Sequence, residues 1–315
     1  MRIGIDLGGT KIEIAVLDAG GNIRLRRRAP TPKGDYQGII DTIRTLVQNA
    51  EAELDSGRVS VGVGIPGTIS PATGLIKNAN SVCLIGHALD EDLGVALGRP
   101  VRLANDANCF ALSEAKDGAA AGARVVFGVI IGTGTGGGIV VDGKVLTGRN
   151  SIAGEWGHNP LPWPHPQELP GRPCYCGNTG CIETFLSGPG LRATFAELGG
   201  PPLLAAQIAQ RAQMGEPLAV QTMDIYTDRL ARSLATVVNL LDPDIIVLGG
   251  GVSNIESLYD TVPALLRKYV FSDDVSTQII RAKHGDSSGV RGAAWLWDLS
   301  SQDSMPDRPR HSSRA

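Results

Sequence analysis

Two glycine-centred hairpins, 124 residues apart, set the plan of this 315-residue chain. Arg2–Leu7 and Lys11–Leu17 are apolar, β-branched runs joined through Gly8-Gly9, and the chain turns again at Asp18-Ala-Gly-Gly-Asn22. Val125–Val145 repeats the order of strand, glycine loop, strand and Asp-Gly turn, with Gly132 falling on Gly8 and Asp142 on Asp18. So long a period excludes a solenoid, whose units recur every roughly 20–50 residues. It implies two halves built alike; a chance likeness of two glycine-rich hairpins is the competing reading. The length agrees, since ~150 residues is the ordinary size of one domain.

Between the hairpins, Tyr36–Asp55 carries apolar residues at helical spacing: Ile39, Ile40, Ile43, Leu46, Val47 and Ala50. Val59–Ile65 reads as a buried strand closed by Pro66-Gly67, Leu89–Leu97 as a short helix, and Val101–Ala104 as another strand. The Ala-rich stretch Ala107–Ala121 is expected to be a helix crossing from the first half into the second. Asn159–Pro173 holds six prolines and is expected to be loop. Leu203–Leu241 is helical with a break at Pro217, and Asp244–Leu248 is a strand feeding Gly249-Gly250-Gly251. Ser253–Val270 and Val290–Leu299 read as helices. The expected domains are 1–121 and 122–289, with 290–299 returning to the first. Ser300–Ala315 is polar and contains proline, with almost nothing to bury, and is expected to be a disordered tail.

Composition removes several classes of function. With 29 basic and 32 acidic residues the net charge is −3, which argues against a nucleic-acid footprint. No apolar run approaches the ~18–20 residues needed to span a bilayer, and Met-Arg-Ile-Gly-Ile-Asp has no signal-peptide pattern. Five cysteines, three of them within Cys174–Cys181, make a poor disulfide framework and a plausible metal site in a reducing compartment. A cytoplasmic protein is expected. The 41 glycines, set against few aromatics, point to tight turns and close approach of backbone to ligand.

Asp6-Leu-Gly-Gly-Thr-Lys11 is the first candidate site. Gly8, Gly9 and Thr10 offer donors to phosphate oxygens, and Asp6, costly to bury alone, suits a hydrated Mg²⁺. Lys11 follows Gly9 too closely for a P-loop, and strand follows where a helix would be required. Gly132-Thr-Gly-Thr-Gly-Gly-Gly138 satisfies G-x-G-x-x-G but fails as a dinucleotide fingerprint for the same reason. Paired with the first loop, it reads as a second phosphate-gripping hairpin facing one cleft. Gly249–Gly251 offers a place for a flat adenosine, or is only a strand-to-helix turn.

Cys174-x-Cys176-x4-Cys181, bent at Gly177 and Gly180, has the spacing of a knuckle for tetrahedral Zn²⁺. His158, after the rigid Gly154-Glu-Trp-Gly, is the leading fourth ligand; His165 in the proline loop is its rival. Four protein ligands close the shell, so such a zinc is structural. Asp106, at the end of a strand and the start of a helix, is either an N-cap or a general base facing the cleft.

Taken together, Asp6–Lys11, Gly64-Ile-Pro-Gly67, Asn105-Asp106-Ala-Asn108, Gly132-Thr-Gly134, Glu155-Trp-Gly-His158, Cys174-x-Cys176-Gly-x-x-Gly-Cys181-x-Glu183, Asp242-Pro243 and Gly249–Gly251 resemble the ROK family of bacterial sugar kinases and repressors. The resemblance covers the whole chain apart from the tail. Lys77-Asn-Ala-Asn80, Gly154–Trp163 and His284–Trp295 are similar to the bacterial fructokinases of that family. The repressors of the family carry a DNA-binding segment before the first strand, whereas here the first strand is expected to begin at Arg2.

This resemblance implies an actin-like, ribonuclease-H-like pair of α/β domains closing over ATP and sugar, with a zinc knuckle beside the cleft. Asp106 matches the family's general base. Asn105, Glu155, His158 and Glu183 match its sugar-contacting positions, and Gly67 and Asn80 join them from the other matched motifs. His158 would give one nitrogen to zinc and the other to a sugar hydroxyl. Asp6 with Mg²⁺, the Gly8–Lys11 turn, and Thr133, Gly134 and Gly136 would grip the ATP phosphates, with Gly249, Gly250 and Gly251 near the adenosine. The expected reaction is phosphorylation of D-fructose at its 6-hydroxyl. N-acetylglucosamine is expected to be a far poorer substrate, because Trp156 is assigned to the core and no other apolar wall for an acetamido methyl is evident. The rivals are the same chemistry on N-acetylglucosamine, glucose or mannose, and a sugar-sensing regulator that has lost catalysis. Sugar and ATP are the expected partners, a homodimer is left open, and neither nucleic acid nor membrane is expected.

Overall fold

The computed structural model describes residues 1–79 and 81–297. In the first half, continuous apolar runs make β1 (Arg2–Leu7) and β2 (Lys11–Leu17), followed by β3 (Ile23–Pro30). The strand β3 escapes the sequence reading because it is an arginine-rich edge, its charge answered by Glu13, which pairs with Arg26 and Arg28 across the sheet. Asp35 caps α1 (Tyr36–Glu53), whose Ile39, Ile40, Ile43, Val47 and Ala50 are buried as the spacing requires. Then come β4 (Ser60–Ile65), the small hairpin β5 (Thr68–Ile69) and β6 (Ile76–Lys77), α2 (Leu89–Leu97), β7 (Val101–Asn105) and α3 (Asp106–Lys116). The sheet order is β3-β2-β1-β4-β7, antiparallel on the hairpin side and parallel from β1 to β7.

The second half repeats this order. β8 (Val125–Ile131), β9 (Thr135–Val141) and β10 (Lys144–Val145) precede a long loop and the helices α4 (Ile182–Leu186), α5 (Gly188–Glu197), α6 (Ala205–Gln213) and α7 (Pro217–Leu241). After them come β11 (Ile245–Gly249), α8 (Leu258–Leu266), β12 (Gln278–Arg281) and α9 (Ser288–Trp295). The sheet runs β10-β9-β8-β11-β12, with the same directions as the first. The long-period repeat is thus a duplicated α/β plan, and β9 lies on β2 under the 124-residue shift.

Some boundaries differ from expectation for local reasons. The helix expected over Ala107–Ala121 stops at Lys116, because the Glu114 side chain takes the Ala119 amide at 2.8 Å and bends the chain there. Ser253–Val270 is not one helix. Ser253 Oγ turns back to the Gly250 carbonyl at 2.7 Å, leaving a 3₁₀ turn (Gly251–Asn254) before α8. The last helix spans Ser288–Trp295, and the segment 300–315, expected to be a disordered tail, lies outside the described residues.

Helix α9 packs on β1 and β4 and crosses α3 so closely that a Cβ on Gly292 would lie 1.7 Å from the Cys109 carbonyl oxygen. Glu114 and Asp117 of this region bind the α9 side: Glu114 accepts from Ser288 Oγ at 2.8 Å, and Asp117 from Trp295 Nε1 at 3.1 Å and from Arg291. The proline loop contains one 3₁₀ turn, Pro166–Glu168. It is held to α7 by Arg232, which donates to the Pro162 and Trp163 carbonyls and to the buried Glu168. Among the described residues, no helix is long and apolar enough to cross a membrane.

Candidate active site

A cavity of about 860 Å³ lies where β7 hands over to α3 and the turn between β8 and β9 faces it. Asn105, not Asp106, is the helix cap. Its Oδ1 accepts the Ala107 amide at 2.9 Å, and its Nδ2 donates to the Gly67 carbonyl at 3.3 Å. Asp106 occupies the first helical position, where its Oδ1 shares the Ala107 amide at 2.8 Å and its side chain lines the cavity. Gly67 is a steric requirement: at φ 150°, a Cβ there would stand 2.9 Å from both the Lys77 carbonyl and Ala79 Cβ.

The carboxyls are crowded. Walls of protein around Asp106 raise its carboxyl above the ordinary range, against the opposing effect of the Ala107 amide. Asp6, at the end of β1, is pushed up to about 6, first by burial and then by the charges of Asp106 and Glu13, while Lys11 pulls it down. Asp6 itself is not among the residues that line the cavity, and its carboxylate is the kind of oxygen donor that a hard divalent cation takes. Glu155 is raised by burial, partly offset by His158.

The cavity brings together Gly67, Asn105, Asp106, Glu155, His158 and Glu183 with the turn residues Thr133, Gly134 and Gly136. Gly8, Gly9, Thr10 and Lys11 lie outside its lining, in the β1–β2 turn closed by Gly8 N–H to the Lys11 carbonyl at 3.0 Å. Gly249, Gly250 and Gly251 also lie outside it. A Cβ on Gly250 would be 2.4 Å from the Ile131 carbonyl, so this run sits directly against the strand that enters the Gly132 turn. Asn80 lies outside the described residues.

The ligand atoms of His158, Cys174, Cys176 and Cys181 all lie within 4.8 Å of one another. Cys174 Sγ is 3.6 Å from His158 Nδ1, and Cys176 Sγ is 3.6 Å from Cys181 Sγ. The knuckle folds through backbone bonds from Cys174 N–H to Asn178 and from Gly177 N–H to Cys174. Arg172 ties it to α4 and α5 through the Thr184 and Gly190 carbonyls. Burial and its neighbouring thiols push Cys181 up to about 12, whereas the backbone at Asn178 helps draw Cys176 down to about 7. A Cys₃His set this compact fits tetrahedral Zn²⁺. His165 is not part of it; its Nε2 is 3.5 Å from Asp228.

The second ring nitrogen of His158 meets the Tyr175 hydroxyl at 2.9 Å, and Glu183 Oε2 accepts the Thr135 amide at 2.8 Å. Tyr175, Ile152 and Asn178 also line the cavity, and the sequence reading does not name them. For Tyr175 the available signal was its place between two ligands of the knuckle.

The family model described as the ROK family matches residues 2–299. The N-acetyl-D-glucosamine kinase of Photobacterium profundum is 41% identical over 300 residues, covering 94% of this chain and 99% of that protein. Among solved structures, a ROK hexokinase from Thermus thermophilus superposes with a TM-score of 0.82 at 33% identity, covering 94% of this chain and 97% of that one. A ROK glucokinase from Streptomyces griseus, in complex with glucose and AMPPNP, gives 0.73 at 29% identity, covering 94% and 98%.

These relatives overturn the expectation of a fructokinase. Several of the residues behind that expectation serve packing, although Glu155 and His158 of the same segments line the cavity. Trp156 is buried with Nε1 donating to the Gly136 carbonyl, Trp163 stacks on Tyr269, and His284, Arg291 and Trp295 all bind Asp117. The cavity lining includes Ile152, Ala79 and Tyr175, which carry apolar surface that the sequence reading left out of account. With the match running through both halves, the chain belongs to the ROK family.

Proposed function

We propose that this protein transfers the γ-phosphoryl group of ATP to N-acetyl-D-glucosamine, at its 6-hydroxyl, the sugar's primary alcohol. The observation that carries this reading is one cavity lined by Asp106 together with the polar groups of Glu155, His158 and Glu183 and the glycine turn Gly132–Gly136. The relatives named as kinases of this sugar support its identity.

Phosphoryl transfer asks a protein mainly to position groups and neutralise charge. Asp106 accepts the proton of the sugar hydroxyl as the bond to phosphorus forms, and its raised carboxyl is a better base than an ordinary aspartate. Asn105, Glu155, His158 and Glu183, with Gly67 and Asn80, hold the sugar. Thr133, Gly134 and Gly136 from one hairpin, and Gly8, Gly9, Thr10 and Lys11 from the other, hold the phosphates, with Gly249, Gly250 and Gly251 along the adenosine. Asp6 is the residue for Mg²⁺, which neutralises phosphate charge when bound. His158, Cys174, Cys176 and Cys181 would hold zinc, which would fix the orientation of His158 and take no part in the group transfer. The lobes are 1–121, with 290–299 returning to it, and 122–289; their closure excludes water from the reacting groups.

A coupled ADP-release assay with N-acetyl-D-glucosamine tests the proposal. ADP production that depends on the sugar supports it, and its absence refutes it.

A further inference from the structure

The chain leaving the β5–β6 hairpin carries an unpaired amide onto the cavity wall. Lys77, the last residue of β6, pairs with Thr68, and its Nζ donates to the Asn150 carbonyl at 3.1 Å. Ala79 is buried so close to Gly67 that a Cβ on that glycine would stand 2.9 Å from its own. Asn78 lies between these two fixed neighbours at φ 55°, in the left-handed region that asparagine tolerates and most side chains do not.

Asn78 is exposed and lines the cavity, and among the described residues its side-chain amide makes no hydrogen bond. Asn105 differs: its Oδ1 is on the Ala107 amide and its Nδ2 on the Gly67 carbonyl. The same lining holds the carboxyls of Asp106, Glu155 and Glu183, which when ionised only accept. A sugar hydroxyl carries lone pairs as well as a proton, so a ring set among carboxylates still needs donors. The Asn78 amide nitrogen offers two. The Lys77 side chain also ties this segment to the loop that carries Ile152 and Glu155, both in the lining. A backbone held on both sides presents its amide with little left to order on binding.

We infer that Asn78 is a substrate-contacting residue, its Nδ2 donating to an oxygen of the bound sugar. This rests on the kinase reading for the presence of a sugar, not on which sugar it is. The competing role is a backbone one, in which asparagine serves only to accept the left-handed turn. Glycine and aspartate at this position separate the two.

Asn78→Gly keeps the turn and removes the amide; Asn78→Asp keeps the size and the tolerance of the turn but exchanges the N–H donors for a carboxylate oxygen. Binding is measured by calorimetry and turnover by ADP release, on N-acetyl-D-glucosamine, glucose, mannose and fructose. For the sugar that the unaltered protein binds most tightly, Asn78→Gly should raise Kd and KM about 5–10-fold, the loss of one net hydrogen bond, with kcat within about twofold. Its melting temperature should not fall, since glycine takes this φ without strain. Asn78→Asp should raise Kd at least as far, because an acceptor then faces the sugar oxygen. An unchanged or lower Kd in either variant overturns the inference and leaves Asn78 a turn residue. If the unaltered protein binds another of the four sugars more tightly than N-acetyl-D-glucosamine, the proposed substrate falls while the Asn78 result is read on that sugar. Protein that binds none of the four overturns the kinase reading and this inference together.

Discussion

The Thr135 amide donates to Glu183 Oε2 at 2.8 Å, joining the second glycine hairpin to the helix that follows the zinc knuckle. Glu183 stands two residues after Cys181, so order in the cysteine cluster reaches the turn proposed to hold phosphate. Cys176→Ser removes one of four ligands, and metal affinity in such a site is folding free energy. Metal analysis should find about one zinc per chain in the unaltered protein. The variant should lose zinc, melt at lower temperature and lose activity together. Metal-free protein with full activity contradicts the role assigned to the cluster.

Much of this arrangement is legible in the sequence because it rests on local rules. Continuous apolar runs mark β1, β4 and β8, the glycine hairpins mark the duplication, and cysteine spacing marks the knuckle. What is lost is decided by contacts distant in sequence. The strand β3 becomes intelligible only beside Glu13, and the end of α3 only through Glu114 turning on its own chain. Asp106 is ambiguous in the sequence because the cap is shared: Asn105 is the N-cap residue, and the Ala107 amide donates to both side chains. The sugar was misread because it rested on fructokinase-like segments and no local rule names a substrate: Trp156 packs inward as the sequence reading expected, while Ile152 and Tyr175 line the cavity from positions that the motifs do not specify.

Asp106→Asn keeps the shape of the side chain and cannot accept a proton. Turnover should fall ~10²–10⁴-fold while calorimetry shows sugar binding retained. Because burial raises this carboxyl and Asp6 interacts with it, the acid limb of kcat/KM in the unaltered protein should lie above the ordinary carboxylate range as a property of the pair. Near-normal turnover in the variant would leave Asp106 a structural residue.

Asp6 makes a separate prediction about stability. Its carboxyl titrates at about 6 in the folded chain, against an ordinary 3.8. It therefore favours folding below pH ~4, and this contribution is lost as pH rises through 6. At neutral pH the ionised group costs on the order of 3 kcal/mol. Asp6→Asn should raise the melting temperature of the nucleotide-free protein at pH 7.5, raise it less at pH 5, and abolish kinase activity. A variant no more stable than the parent at pH 7.5 refutes the assigned strain.

Glu114 is fully buried and accepts from the Ala119, Lys283 and His284 amides and from Ser288 Oγ. Glu114→Ala leaves these donors unsatisfied where α3 meets α9. Denaturant titration should show a loss of about 3–5 kcal/mol. A loss under about 1 kcal/mol would mean that water replaces the carboxylate at little cost.

The substrate is tested most directly by kcat/KM for N-acetyl-D-glucosamine, glucose, mannose and fructose, measured side by side with saturating ATP and Mg²⁺. A site that pairs its polar groups with one sugar discriminates against analogues that leave them unmatched. The expected result is the highest value for N-acetyl-D-glucosamine; a higher value for any of the other three contradicts the proposed function.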